Sequence, residues 1–380
     1  MKRSIALILA AVMAVSVFSG CGESAETTES AASTPEVTIE ATAAATATPT
    51  PTVAATATPT ATPTPTEAAV AYTNPFTGLP CDKDLSSLRP YIFMCDNVYS
   101  ANPHAGSSQS DMVMEMMEEG GITRMMLFFA DPSNINKVGP IRSARAYNIY
   151  TALGYDAFLT HCGSSDEGDA LIASYGLQDL DQITGAFSTD SFYRDEARIA
   201  SSSSVHSLMA VPSNLVNVAQ SFGYRMTHND GYDTTYGLTF SDNAADQCPG
   251  TAHDIRITYN GGKTTNFTYN DAEGTYAMYQ HDGMEYVDED GTKVPFSNVI
   301  MIYANTYLQS DGQHITIELT SGEGYYFTKG KAAHINWYKN GEYDVFHYTL
   351  DDGTPLSLNT GRTFVSVNQC GSYQGSCDFS

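Results

Sequence analysis

The stretch Tyr91-Ile92-Phe93-Met94-Cys95-Asp96-Asn97-Val98 sets the character of the first half of the chain. Its apolar residues run without alternation and end in a polar pair, which is the pattern of a short strand buried on both faces. Thr123–Ala130, TRMMLFFA, reads the same way, and Ala157–Cys162 supplies a third such strand. Between and after them the spacing predicts helices. Ser108–Glu119 carries Met112, Glu115, Met116 and Glu119 at helical intervals, and Ser143–Leu153, Asp166–Tyr175 and Pro212–Phe222 follow. Strands that alternate with helices predict a sheet flanked by helices, with functional side chains at the strand ends.

The pattern changes near residue 235. Downstream, short alternating strands are separated by NGG, EDG, SDG, SGEG, KNG and DDG turns. The expected architecture is therefore a mixed α/β (or α+β) domain over 72–235, followed by a β-rich domain over 236–380. The tyrosines of the second half, among them Tyr276, Tyr279, Tyr303, Tyr325 and Tyr326, sit at strand-like positions. They read as cross-strand and core pairs, with stacking on sugars or peptides as the other role open to such faces.

Working outward to the N-terminus, Lys2 and Arg3 precede an apolar run from Ile5 to Val17, and then Val17-Phe18-Ser19-Gly20-Cys21. This is the layout of a bacterial lipoprotein signal: residues 1–20 are removed and Cys21 takes palmitate-type acyl chains. An ordinary secretory signal or a membrane-spanning anchor with an incidental Cys21 is the alternative, but an apolar run of about 13 residues is short for a bilayer. Residues 21–71 are almost wholly Ala, Thr, Pro, Glu and Ser, with ATPTATPTPT at 57–66. Such a segment cannot bury enough apolar surface to order itself, and its prolines favour extension to roughly 100–150 Å. The predicted layout is a folded head on a leash, held on the extracytoplasmic face of the cell membrane.

The chain has 43 acidic and 18 basic residues, a net charge of −25. That excess argues against nucleic acid as a partner. Against it, Arg89, Arg124, Arg142, Arg145, Arg194 and Arg198 all fall in the α/β half. The sharpest element is Gly139-Pro140-Ile141-Arg142-Ser143-Ala144-Arg145, a turn running into a helix start with Ser143 placed to cap it. Two roles are open to it. Free amides and two guanidinium forks suit a carboxylate or phosphate; alternatively, Asp96, Glu115 or Glu118 neutralises the arginines internally.

No GxSxG, HExxH or GxxxxGK[ST] motif occurs, and the remaining histidines lack ligand spacing, so neither a metal nor any other cofactor is expected. An enzyme is therefore the less favoured class. Of the six cysteines after Cys21, Cys370 and Cys377 enclose GSYQGS and form the one local pair open to a disulfide, whereas Cys95 and Cys162 read as buried thiols.

Several blocks together resemble one family. NPFTGLP at 74–80, RPYIFMCDN at 89–97, QSDMVMEMMEEGGITRMM at 109–126, VGPIRSAR at 138–145, YDAFLTHCG at 155–163, YRD at 193–195, GTYAMYQHDGMEYVDEDG at 274–291 and NVIMIYAN at 298–305 are similar to the YerB-like lipoproteins. The resemblance implies an extracytoplasmic lipoprotein with a two-part domain of unknown function. The family's polar blocks land on Arg89, Asp96, Asn97, Glu115, Arg124, Arg142, Ser143, Arg145, His161, Arg194 and His206. Cys95, Cys162, Ser164 and the SSVHSLMA segment around His206 depart from the family pattern.

Together these readings predict a tethered lipoprotein that binds an anionic or polar envelope component, such as a cell-wall glycan or peptide. Arg89, Asp96, Asn97, Arg124, Arg142, Ser143, Arg145 and Arg194 would form the binding cleft. Two rival readings are an envelope hydrolase or transferase using Asp96, Glu115 and His161 for acid-base chemistry, and a scaffold for an envelope protein.

Overall fold

In the computed structural model, which describes residues 72–184 and 190–380, a short hairpin of β1 (Tyr72–Thr73) and β2 (Pro80–Cys81) leads into β3 (Tyr91–Asp96), β4 (Met112–Met117) and β5 (Thr123–Phe129). The helix α1 (Ala146–Gly154), β6 (Phe158–His161), α2 (Asp166–Tyr175) and β7 (Leu180–Asp181) follow. A hairpin of β8 (Phe192–Arg194) and β9 (Leu208–Ala210) encloses α3 (Glu196–Ser201) and precedes α4 (Pro212–Ser221). The remaining strands are β10 (Gly250–Thr251), β11 (Asp254–Thr258), β12 (Thr264–Asn270), β13 (Thr275–Gln280), β14 (Met284–Glu285), β15 (Asn298–Leu308), β16 (Ile315–Ile317), β17 (Ser321–Thr328), β18 (Lys331–Tyr338), β19 (His347–Thr349), β20 (Thr363–Gly371) and β21 (Ser376–Phe379). The signal segment 1–20, Cys21 and the linker to residue 71 lie outside the described residues.

The N-terminal half does mix strands and helices, and no α-helix follows Ser221 among the described residues. The sheet itself, however, ignores the change of composition near 235. Twelve strands share it, in the order β10-β18-β17-β15-β20-β4-β5-β3-β6-β7, with β16 beside β15 and β19 beside β18. The join is the parallel pairing of β20 with β4, Thr363 to Val367 against Met112 to Met116. From β15 to β7 all strands run parallel except β5, which is reversed between β4 and β3. A second, five-stranded antiparallel sheet, β14-β13-β12-β11-β21, packs through Phe267 of β12 onto Phe364 of β20 at 5.0 Å.

The segment Met112–Met117 is a strand and not the helix its spacing predicts. Met and Glu favour helices intrinsically, but the preference is small beside the burial available here. All six side chains are buried, hydrogen-bonded on one edge to β5 and on the other to β20. The change alters which residues share a face. As a helix, Glu115 would lie with Met112 and Met116; as a strand, it points the opposite way.

That alternation sorts the carboxyl end of the sheet into two polar clusters. Asp96, Arg124 and Met116 are neighbours in register and lie on the α1 side, where Asn148 of α1 reaches the Met116 and Met126 sulfurs. Asn97, Glu115 and Thr123 lie on the other face, under the five-stranded sheet. The hairpin between β4 and β5 turns at Gly120 and Gly121, both at φ 76°, a region open to glycine without strain. Helices α2 and α4 match the sequence reading to within a residue, and α1 begins at Ala146, three residues later than expected.

Candidate functional site

The segment 139–145 runs as a strap across the ends of β3 and β6. Asp96 N–H donates to the Pro140 carbonyl, Arg142 N–H to Met94, Cys162 N–H to Arg142 and Ala144 N–H to Gly163. At the helix start Arg145 occupies the cap position, its N–H bonded to Asn148 Oδ1 at 2.8 Å. The Arg142, Ala144 and Arg145 amides of the strap are thus already committed. Ser143 does not cap; its carbonyl accepts Arg124 Nη1 at 2.5 Å.

What the strap does bring to the surface is a convergence of cations on the turn at 204–206. Arg142 Nη1 donates to the Val205 carbonyl at 3.5 Å and Arg194 Nη1 to the Ser204 carbonyl at 2.6 Å, so the two guanidiniums sit on consecutive residues of one turn. His206 follows, its Nδ1 2.7 Å from Asp96 Oδ2, and Arg142 Nε stands 3.2 Å from the same oxygen. Asp96 is buried, its side chain 2% exposed, whereas Arg142 is 31% and His206 18% exposed. Arg194 is exposed, and among the described residues it has no carboxylate partner. One buried carboxylate therefore holds one guanidinium and one imidazole, with the exposed Arg194 guanidinium on the neighbouring carbonyl. Cys162 lies within the field of both arginines, but burial raises its thiol pKa.

The other arginines are internal. Arg124 Nη1 is 2.9 Å from Glu118 Oε2, and Arg145 grips Glu119 through Nε and Nη2 at 2.8–3.1 Å. Glu118 is fully buried and neither oxygen accepts a well-aligned hydrogen bond. Burial pushes it up to about 7, against the pull of Arg124 and Arg145. Arg198 holds the Ala101 carbonyl at 3.0 Å and pairs with Glu289 at 3.3 Å. Internal neutralisation thus accounts for Arg145, through Glu118 and Glu119, and in part for Arg142, through Asp96.

Arg89 belongs elsewhere. It precedes β3 and stands about 23 Å from Asp96 along that strand, stacked on Phe158 at 4.1 Å and paired with Asp156. Asn97 is buried and donates to Glu115 Oε1 at 2.9 Å. A single cleft containing all eight proposed binding residues is not formed; Arg142, Arg194 and Asp96 are the three it would have held in common, with His206 added.

The trio Asp96, Glu115 and His161 is not brought together either. Glu115 accepts from Asn97, Thr123, Tyr259, Thr265 and Lys263, and its carboxyl lies below the usual range because the Lys263 charge and these bonds outweigh burial. Both ring nitrogens of His161 are taken, Nδ1 by the Gly163 carbonyl at 2.9 Å and Nε2 by Asp179 at 3.0 Å. Burial opposes its protonation, but the Asp179 bond and charge raise its pKa overall. The hydrogen-bonding atoms of Glu115 and His161 are committed to partners inside the fold. Cys370 and Cys377 are free thiols. Cys370 pairs with Asn305 in the large sheet and Cys377 with Ile257 in the small one, so the intervening loop separates them into different sheets.

Sequence reading missed Tyr259 and Lys263 altogether and carried His206 only on a loose match. A lysine directly after a glycine turn and before a buried strand, in an acidic chain, is the one signal that could have singled out Lys263. No group of three or more His, Cys, Asp or Glu side chains that could hold a metal occurs among the described residues, and none of their helices is long and apolar enough to cross a membrane.

The described residues form an α+β head: a large mixed sheet with a cluster of cationic side chains at the carboxyl ends of its strands. Comparison with known proteins agrees with the architecture. Residues 76–225 match the N-terminal domain, and residues 255–365 the C-terminal domain, of the family described as Protein of unknown function (DUF3048). The chain is 26% identical over 298 residues to a Bacillus subtilis (strain 168) protein named "Putative lipoprotein YerB", covering 77% of this chain and 85% of that one. A crystal structure of the YerB protein from Bacillus subtilis superimposes with a TM-score of 0.67 at 23% identity, covering 80% of this chain and 99% of that one. The chain belongs to the YerB-like family.

Proposed function

We propose that this chain is a lipoprotein tethered to the extracytoplasmic face of the membrane through Cys21, and that its head binds an anionic group of the cell envelope at the Arg142, Arg194 and His206 patch. The tether is supported by the VFSGC signal at 17–21, by the long Thr/Pro segment behind it and by the likeness to a relative named as a lipoprotein. The observation that carries the binding reading is the meeting of Arg142 and Arg194 on the consecutive carbonyls of Val205 and Ser204, with the buried Asp96 paired to Arg142 and no carboxylate paired to Arg194 among the described residues. Guanidinium forks held in place by backbone acceptors keep N–H groups for a carboxylate or phosphate at little further entropic cost. Cell-wall glycan peptides and wall polyanions both carry such groups.

The test is retention of the purified full chain on isolated cell walls, with released material followed by mass spectrometry. Saturable, salt-sensitive retention that falls about tenfold in Arg194→Ala, without new wall fragments, supports the reading. Fragments that appear with time would make the protein an enzyme, and retention indifferent to Arg194 and to salt would move attention to a protein partner.

A further inference from the structure

At the other end of β3 from the cation patch, a cavity of about 350 Å³ opens between the ends of α1 and α2 and the loop after α4. That volume is within the usual range for a small-ligand site, roughly 300–1,000 Å³. Its floor is built and rigid. Arg89, 3% exposed, donates from Nε to the Asp156 carbonyl at 2.7 Å, and from Nη1 to the Arg225 carbonyl at 2.9 Å and to Gln178 Oε1. Arg225 in turn clasps both oxygens of Asp156 at 2.6 and 2.8 Å, and His228 Nδ1 adds a third contact at 2.8 Å. Burial opposes ionisation of Asp156, but the His228 and Arg225 hydrogen bonds overcome it and hold the carboxyl down to about 2. Asp156 itself adopts φ 48°, a left-handed conformation that costs a residue with a Cβ.

Two residues that line the cavity, Gln178 and Arg225, keep unused donors. The Gln178 oxygen is fixed on Arg89, so its amide NH₂ has to donate elsewhere, and among the described residues it has no acceptor. Among the described residues Arg225 bonds through Nη1 and Nη2 and its Nε–H has no acceptor, and its side chain is 34% exposed. Three tyrosines, Tyr175, Tyr232 and Tyr343, are among the lining residues. Tyr232 is held flat against His228 at 4.2 Å, and Tyr343, 62% exposed, meets Tyr175 edge to face at 5.7 Å. The site carries no excess of positive charge: two guanidiniums face Asp156, and Asp233 and Glu342 add negative charge beside Tyr232 and Tyr175.

We propose that this cavity is a saccharide site. Tyrosine faces take the C–H face of a sugar ring, while Gln178 and Arg225 donate to its hydroxyl or acyl oxygens; with no excess of positive charge the site favours a neutral sugar over a phosphate. The site is independent of the cation patch. Calorimetric titration of the full chain with N-acetylglucosamine trimer and with cellotriose tests it. One of the two should bind with a Kd on the order of 1 mM. Tyr343→Ala and Gln178→Glu should each weaken that binding about tenfold, with unchanged melting, and Arg194→Ala should leave it intact. The glutamate keeps an acceptor for Arg89 while removing the amide donor, and Tyr343 is too exposed for its loss to unfold the chain. If neither trisaccharide saturates, if binding survives both variants, or if Arg194→Ala abolishes it, the proposal is wrong.

Discussion

Glu115 and Lys263 stand 148 residues apart in the chain and form a buried ion pair where the two sheets meet. Glu115 lies on β4 of the large sheet; Lys263 enters β12 of the small one and also donates to Thr265 Oγ1 at 2.5 Å and to Gln280 Oε1 at 3.2 Å. Burial lowers the Lys263 pKa despite the Glu115 charge.

A buried pair is costly to halve. Glu115→Gln or Lys263→Met alone should cost about 3–5 kcal/mol, because each leaves the other charge without its partner in a desolvated seam. The double replacement should cost less than the sum of the two. Urea denaturation of the three variants checks this, and additive losses would mean that the pair is not coupled.

His104 and Glu118 pull the acid stability in opposite directions. Burial holds His104 down to about 4 from its ordinary 6.5, so its contribution is complete above pH 6.5 and is lost as the pH falls toward 4. Burial pushes Glu118 up to about 7 from 4.5, so its contribution is complete below pH 4.5 and is lost as the pH rises through 7. Each amounts to about 3 kcal/mol over nearly the same window, and they largely cancel. Relative to the parent chain, Glu118→Gln should therefore gain stability between pH 4.5 and 7. His104→Asn should show the reverse slope. Parallel pH profiles for parent and variants would sink this account.

Asp96 organises the cation patch but also subtracts from its charge. Asp96→Asn should lower stability by about 1–3 kcal/mol, since a buried acceptor is weakened, yet tighten retention on anionic wall material and steepen its salt dependence. Arg194→Ala should do the opposite to binding and little to stability. Binding assays at two salt concentrations decide it, and a shift of both variants in the same direction rules out an electrostatic role.

Gly154 closes α1 directly beneath the Asp344 carbonyl, and its own carbonyl accepts Tyr232 Oη at 2.6 Å. A Cβ there would run into Asp344, so Gly154→Ala should destabilise by about 1–3 kcal/mol through overpacking. A thermal midpoint equal to that of the parent would show that the segment around Asp344 can move aside.

Cys21 lies outside the described residues, and its role is tested in cells. Cys21→Ser should shift the protein from the membrane fraction to the medium or soluble envelope fraction, leaving the thermal stability of the head unchanged. Persistence in the membrane fraction would argue for an uncleaved apolar anchor.

Much of the element pattern was legible because it rests on local information. An unbroken apolar run such as Tyr91–Cys95 has to be buried on both faces, and Ser165 followed by acidic residues 166, 167 and 169 and closed by Gly176 marks α2 at both ends. Met112–Met117 was misread because its spacing satisfies a helix while its neighbours, β5 and β20, come from outside any local window.

By itself, then, the sequence determined the mixed first half and the strand-rich second half, and the concentration of arginine in the former. Only the tertiary structure decided which arginines face outward. Arg124 and Arg145 are consumed by Glu118 and Glu119, Arg89 is carried to the far end of β3, and Arg142 and Arg194 meet on one turn, whose accepting carbonyls lie 63 residues from Arg142 and 10 from Arg194. Pairing of that kind depends on strand register and long-range packing, because one residue of slip reverses every side chain on a strand, and nothing in a local window specifies it.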